Sequence, residues 1–455
     1  MTEHAKFHYQ SLPELQAEAA RLQLDLPFSQ DVSILSKPFI LNGKTVPNRM
    51  IIHPMEGCDG TADGKPDELT FRRYRRFAAG GAGLLWFEAT AVVHEGRANP
   101  RQITICQATK DSFAALLADS LTAGREANGA SWQPYTVLQL THSGRYSRPA
   151  AKPEPIIAQR SLALDPKLSV EPRVITDEEL EALEDKYVEA AVIAADIGFD
   201  AVDVKSCHGY LIDELLGSHT RPGKYGGSFE NRTRFLVNIV DKIRRRLGDS
   251  LAITLRLNAY DSIPYPCGWG VDKADFHKPD MSEPIRLLTL LRDKGVRMAN
   301  LSAGNPYFNP HIGRPYDIGS YLPPFHPLEN AAVLLNVARE AQVAVPEMAI
   351  IGTGFSWFRQ FAPHVAAAAI EQGWFQLAGF GRQAFAYPSF AHDITATGAM
   401  DSKKVCIACS KCTVIMRDSG RTGCVIRDAQ VYGPIYREGR EGKATAESIH
   451  VAEHV

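Results

Sequence analysis

Eight short apolar runs, with stretches of helical spacing between them, dominate the chain between residues 50 and 400. The runs are Met50–Ile52, Gly83–Glu88, Tyr135–Leu140, Ala201–Val204, Leu251–Leu257, Met298–Ser302, Met348–Ile351 and Phe375–Gly379. Short, nearly continuous apolar runs are expected of strands buried on both faces, as in a parallel sheet covered by helices. Between them, Glu68–Ala79, Phe113–Ala127, Asp177–Ile197, Arg232–Leu247, Glu283–Lys294, Leu328–Ala341 and Phe361–Gln372 read as helices packed by one side. Eight short buried strands alternating with helices predict an α/β fold, a (β/α)8 TIM barrel. A doubly wound open sheet is the alternative. The G-x-G-x-x-G fingerprint of its dinucleotide-binding form is absent from the sequence.

Composition narrows the function. Of 455 residues, 45% are apolar, enough for one core of barrel size plus appendages. The net charge of −2 gives no reason to expect nucleic acid or an anionic membrane as partner. No apolar run reaches the about 18 residues of a membrane helix, and Met1–Gln10 lacks the apolar core of a signal peptide. A cytoplasmic protein is expected, as is a homo-oligomer. Three regions follow. Residues 1–36 form a helical extension, with Ser11 ahead of Pro13 and Glu14, and Leu15, Ala19, Leu22 and Leu26 at helical spacing. This helix is expected to pack on the barrel exterior, with a contact between copies or a cover over the active site as the alternative. Residues 37–400 form the barrel. Residues 401–455 hold a cysteine segment and, from Glu438, a polar surface tail.

A parallel barrel carries its chemistry at the C-terminal ends of its strands. The fourth run ends there in Lys205, Cys207, His208, Gly209 and Tyr210, followed by Tyr225-Gly226-Gly227-Ser228 and Glu230-Asn231-Arg232. H-G-Y-L with Y-G-G-S-x-E-N-R resembles the old yellow enzyme family of FMN-dependent oxidoreductases, and the resemblance covers roughly residues 37–395. It implies a flavin site. Pro54-Met55 is similar to the motif that lies against the flavin. Glu88-Ala89-Thr90 matches the family's E-A-T. Gln139-Leu140-Thr141-His142-Ser143-Gly144-Arg145 matches its Q-L-x-H-x-G-R, with Gln139 facing the pyrimidine edge. Arg256 matches the arginine near N1 and the C2 oxygen, where a cation tunes the flavin. Glu56 departs from the family, which places a small residue near the C4 oxygen. A carboxyl there is expected to be protonated or turned away.

The loops after runs seven and eight, where barrels bind phosphate, hold Gly352-Thr353-Gly354 and Gly379-Phe380-Gly381-Arg382. Glycines admit backbone N–H groups and arginine adds a two-pronged donor. Gly352, Gly354, Gly381 and Arg382 are therefore cofactor candidates, and Gly304 after run six joins them.

In family ene-reductases, two residues three apart hold the substrate carbonyl oxygen and a tyrosine two further on protonates the α-carbon. The matching positions are Lys205, His208 and Tyr210, with Lys205 standing where the family has histidine. A cationic donor with an imidazole polarises a carbonyl, and a phenol delivers a proton. The loops Tyr260–Pro279 and Asn305–Pro327 lie on the same edge, and Tyr307, His311 and Arg314 in the second are substrate candidates. The implied reaction is reduction of an activated C=C bond in an α,β-unsaturated carbonyl-type small molecule, with hydride from FMN N5 and a proton from Tyr210.

Cys406, Cys409 and Cys412 fall at i, i+3 and i+6, with Cys424 beyond. Three thiolates in so short a loop fit an iron–sulfur cluster better than zinc, which favours paired C-x2-C motifs. The pattern is similar to the old yellow enzyme subgroup that includes 2,4-dienoyl-CoA reductase and trimethylamine dehydrogenase, which carries a [4Fe–4S] cluster just after the barrel. Those relatives continue into nucleotide-binding domains that this sequence does not contain. Electrons are therefore expected from NAD(P)H directly or from a separate electron-transfer protein. Two alternatives stay open: an amine-type dehydrogenase passing electrons out through the cluster, and a non-catalytic flavin subunit of a redox complex.

Overall fold

The computed structural model describes residues 6–442. Eight parallel strands close into a barrel: β1 (Met50–Ile52), β2 (Leu84–Ala91), β3 (Tyr135–Thr141), β4 (Ala201–Val204), β5 (Ala252–Tyr260), β6 (Met298–Ala303), β7 (Ala349–Gly352) and β8 (Leu377–Phe380). Gly379 of β8 pairs with Ile51 of β1 and shuts the ring, which excludes the open sheet. Helices Glu68–Ala79, Lys110–Asn128, Asp177–Ile197, Phe229–Leu247, Ser282–Asp293, Pro327–Ala344 and Ala362–Glu371 cover it.

Successive side chains of each strand face opposite ways. Ile51, Leu84, Trp86, Val137, Ala201 and Ile351 fill the barrel interior. Ile52, Leu85, Phe87, Leu138, Val202 and Ile350 face the helices. A hairpin, Phe39–Leu41 on Lys44–Val46, plugs the N-terminal end with Leu41 and Val46. Two residues further along each inward face, apolar gives way to polar: Ile51 leads to His53, Val137 to Gln139, Ala201 to Asp203 and Ile351 to Thr353. The same period that builds the core delivers the polar groups to its mouth.

The helix Asp177–Ile197 shows how the outer ring is fixed. Thr176 Oγ1 accepts from the Glu179 amide at 3.1 Å, and Glu179 Oε2 accepts from the Thr176 amide at 2.8 Å. This reciprocal cap satisfies two of the amides that a helix start leaves open. Thr176→Ala is expected to cost about 1 kcal/mol, read as a lower denaturation midpoint at an unchanged denaturant slope.

The N-terminal helix is Leu12–Arg21, and Leu12, Leu15 and Ala19 join the main outer core. Ser11 does not cap it through its side chain. Its hydroxyl donates instead to Glu14 at 2.9 Å, and Glu14 also accepts from the Gln10 amide at 2.9 Å. Ahead of the helix, Phe7 packs edge-on to Trp357 with ring centroids 5.2 Å apart. At the other end, helices Lys411–Arg417 and Ala429–Arg440 form a small second core in which Ile415, Tyr432 and Ile435 meet Leu69. Asp428 pairs with Arg72 and Arg76, and the Thr422 amide donates to Gly57 O at 2.6 Å. The tail expected from Glu438 begins as the last turn of this helix, and residues 443–455 lie outside the described residues. Among the described residues no helix is long and apolar enough to cross a membrane.

Candidate active site

A cavity of about 220 Å3 sits at the C-terminal mouth of the barrel. Its floor is the polar layer just described. Asp203 is buried and organises that layer, accepting from Trp86 Nε1 at 3.0 Å, Gln139 Nε2 at 2.5 Å and the Arg256 amide at 2.7 Å. Burial pushes its carboxyl up to about 6. Gln139 and Arg256 both face the cavity. Arg256 makes no carboxylate ion pair among the described residues, and its Nε is buried without a partner. His53 Nδ1 is also unpartnered, while its Nε2 lies 3.3 Å from Thr353 Oγ1.

One end of the cavity is built by glycines. Gly354 has φ +110 and Gly379 lies so close to His53 that a Cβ would fall 2.0 Å from the ring. Both positions demand the missing side chain. Beside them Arg382 donates to Pro315 O at 2.6 Å and leaves its second prong, Nη1, buried without a partner. Gly354, Gly381 and Arg382 all line this end, and Pro54, Met55, Glu56 and Ala89 line the opposite wall. Unpartnered donors around a slot, next to backbone with no side chain, suit a flat heterocycle carrying an anionic tail. Gly379→Ala is expected to displace the His53 ring and destabilise the fold by about 1–3 kcal/mol, measured by chemical denaturation.

The strand-four loop supplies the other wall. Asp213 accepts from the Gly209 amide at 2.6 Å, holding a turn in which His208 (φ 71) and Gly209 (φ 72) are both left-handed. A histidine in that region carries strain of about 1–3 kcal/mol, the kind stored at functional sites. The turn brings Lys205, His208 and Tyr210 to one cavity wall. Lys205 is 5% exposed, and its ammonium lies 3.7 Å from the centre of the Tyr210 ring. Burial lowers its pKa below the ordinary lysine value. No carboxylate lies within ion-pair distance of it among the described residues. His208 and Ser302 share a hydrogen bond of 3.1 Å, and burial holds the imidazole neutral. Tyr210 Oη lies 3.2 Å from Tyr307 Oη, and burial keeps its phenol protonated. Tyr307 in turn stacks on Tyr146 at 3.6 Å. Glu56 accepts from Asn99 Nδ2 at 2.9 Å, and burial raises its carboxyl above the usual range.

Three expected residues lie off the cavity wall. Gly304 faces Ile312 and Asn309, with its carbonyl bonded by Asn258 at 3.0 Å. Gly352 packs on the Phe375 ring. His311 turns away to Tyr321 Oη at 2.5 Å. Arg314 lines the cavity and donates to Thr413. Glu88 is a scaffold residue bound to Arg73, so only Ala89 of that motif reaches the cavity. The sequence reading missed His53 and Thr353, which the period-2 pattern placed inward. It also missed Met416, Arg417 and Thr422 of the C-terminal segment, which complete the wall.

All four segment cysteines line one small adjoining cavity, and Cys412, Arg382 and Phe385 border both spaces. Ala408 (φ 50) and Ser410 (φ 56) turn the loop between the thiols. The Ala408 amide points at Cys406 Sγ (3.4 Å) and the Arg427 amide at Cys424 Sγ (3.3 Å). Among the described residues no group of three or more histidine, cysteine or carboxylate side chains is close enough to hold a metal ion. The eight cysteines form no disulfide.

A closed parallel barrel with its polar cavity at the C-terminal mouth is a (β/α)8 fold of the enzyme-bearing kind. Residues 35–298 match the NADH:flavin oxidoreductase / NADH oxidase family, and the chain belongs to that family, the old yellow enzymes. An NADPH dehydrogenase of Bacillus pumilus is 31% identical over 276 residues, covering 59% of this chain and 73% of the relative. An NADH:flavin oxidoreductase of Gibberella zeae is 28% identical over 284 residues, 59% of this chain and 66% of the relative. Among solved structures, a 2-naphthoyl-CoA reductase superposes with TM-score 0.70 at 22% identity, over 90% of this chain and 58% of that one. An old yellow enzyme homologue from Zymomonas mobilis gives 0.61 at 21% identity, over 81% and 94%. The chain thus spans less than two thirds of the Gibberella zeae relative (66%) and of the 2-naphthoyl-CoA reductase (58%).

Proposed function

We propose that the chain is an FMN-dependent reductase of activated C=C bonds in α,β-unsaturated carbonyl-type substrates. The observation that carries this reading is the convergence of Lys205, His208 and Tyr210 on one wall of a cavity whose other walls suit a flavin. Gln139, Arg256, Pro54, Met55 and Ala89 would hold the flavin ring, and Gly354, Gly381 and Arg382 its phosphate. FMN held there would supply hydride chemistry, with NAD(P)H as its reductant. Lys205 and neutral His208 would then hold the substrate oxygen, where negative charge grows as the β-carbon accepts hydride. Tyr210, protonated over the working pH range, would donate to the α-carbon. In deuterium oxide, the saturated product should carry one solvent deuterium, at the α-carbon. Failure of flavin-loaded protein to reduce any such alkene with NADPH would overturn the reading. The amine-dehydrogenase reading is disfavoured because Lys205 already covers the Tyr210 face that a substrate ammonium would need.

The same proposal assigns Cys406, Cys409, Cys412 and Cys424 to a [4Fe–4S] cluster, which would pass electrons singly to or from the flavin. Two observations support it: the thiols surround one cavity instead of meeting at a point, and backbone amides face two of the sulfurs. Cys406→Ser is expected to lose most bound iron and sulfide while keeping FMN. Unchanged iron in that variant would count against the assignment.

A further inference from the structure

We propose that a second cavity beside the active site binds the phosphate-bearing nucleotide tail of a substrate or coenzyme, held by Arg148, Lys167 and Arg417. The assignment deepens the reading of the first cavity and rests on it for what the head of that ligand does. The second cavity has a volume of about 610 Å3 and shares Glu56, Tyr307, Pro310, Met416 and Arg417 with the first, so one ligand can occupy both. Their common wall is the segment 306–308. Tyr307 reaches Tyr210 from it. On its flanks stand two cations: Arg417 donates to Pro306 O at 3.3 Å, and the Lys167 ammonium lies 4.1 Å from the centre of the Phe308 ring. Arg148 adds a third, donating to Ala151 O at 3.2 Å and Ser419 Oγ at 3.3 Å.

Among the described residues, none of these three has a carboxylate within ion-pair distance. Cations of the surrounding scaffold are paired. Arg145, which also lines the cavity, is held by Glu214 and Asp165, and Arg160 nearby by Glu171. The one carboxylate lining the cavity among the described residues is Glu56, at its inner end and engaged by Asn99. A concave space with unpaired cations at its outer part attracts a polyanion. Guanidinium groups match phosphate oxygens in pairs. The stacked Tyr146–Tyr307 pair adds flat apolar surface of the kind a heteroaromatic base stacks on. A pyrophosphate-linked nucleotide has both features. It can arrive on a coenzyme A thioester substrate or on the nicotinamide dinucleotide.

The test compares wild type with the double variant Arg148→Ala/Lys167→Ala on two ligand pairs. One pair is crotonyl-CoA against crotonyl-N-acetylcysteamine; the other is NADPH against reduced nicotinamide mononucleotide. The ratio of kcat/KM for the tailed to the tail-less member should fall about tenfold or more in one pair, and that pair names the source of the tail. Added salt should lower the wild-type ratio and leave that of the variant nearly flat. Calorimetry with inorganic pyrophosphate should show binding to wild type and a weakening of similar size in the variant. Neither ratio moving, with pyrophosphate binding unchanged, would overturn the proposal. If no alkene is reduced but the variant still loses pyrophosphate affinity, the reaction assigned to the first cavity fails and the second site stands.

Discussion

Tyr210→Phe is expected to slow alkene reduction by about 10²–10⁴-fold, with the rate at which NADPH bleaches the flavin nearly unchanged. The hydroxyl is the only part removed, and it is the part that meets Tyr307. The ring stays, so Lys205 keeps its aromatic partner and the wall keeps its shape. Stopped-flow measurement separates the two half-reactions: an oxidative step slowed alone places the proton transfer at Tyr210. Equal slowing of both halves would assign the residue to structure, and an unchanged oxidative step would revive the non-catalytic reading.

Lys205→Met should lower kcat/KM for the alkene by about 10²–10³-fold, the loss seen when one donor to a developing oxyanion is removed. Its pH behaviour gives a second readout. Burial depresses the lysine pKa, so the ammonium is lost on the alkaline side below the ordinary 10.5. Wild-type kcat/KM should therefore fall as pH rises through that lowered value, and the methionine variant should lack the limb. Tyr210 does not supply it, because its own pKa is raised. His208 does not either, because it is neutral throughout that range. A variant with the same alkaline limb would remove Lys205 from the oxygen-holding pair.

The barrel was legible because its strands are buried on both faces and so appear as bare apolar runs, and because the helices carry a complementary stripe. The most readable motif turned out to be scaffold. Tyr225 donates to Glu184 at 2.8 Å, Ser228 caps its helix, and Arg232 bridges Gly227 O and Glu283. These residues are recognisable because they fix the fold around the strand-four loop. Glycines were harder to read. Gly354 and Gly381 face the cavity while Gly304 and Gly352 serve close packing, and a sequence shows only that a side chain is missing. His311 failed for a related reason: whether a loop side chain turns inward depends on a partner ten residues on, here Tyr321. The largest omission was Met416, Arg417 and Thr422. Their place at the site comes from docking of the C-terminal segment through Asp428 and Ile415, a long-range contact with no local signature.

The proposed holoenzyme has a flavin in the barrel mouth and a cluster at its rim. The most direct test is an anaerobic visible spectrum of the purified protein with flavin, iron and acid-labile sulfide quantified, before and after NADPH and then an α,β-unsaturated ketone. About one FMN and about four irons per chain are expected, with flavin absorbance bleached by NADPH and restored by the ketone. Absence of flavin, persisting after anaerobic reconstitution with FMN, would contradict it.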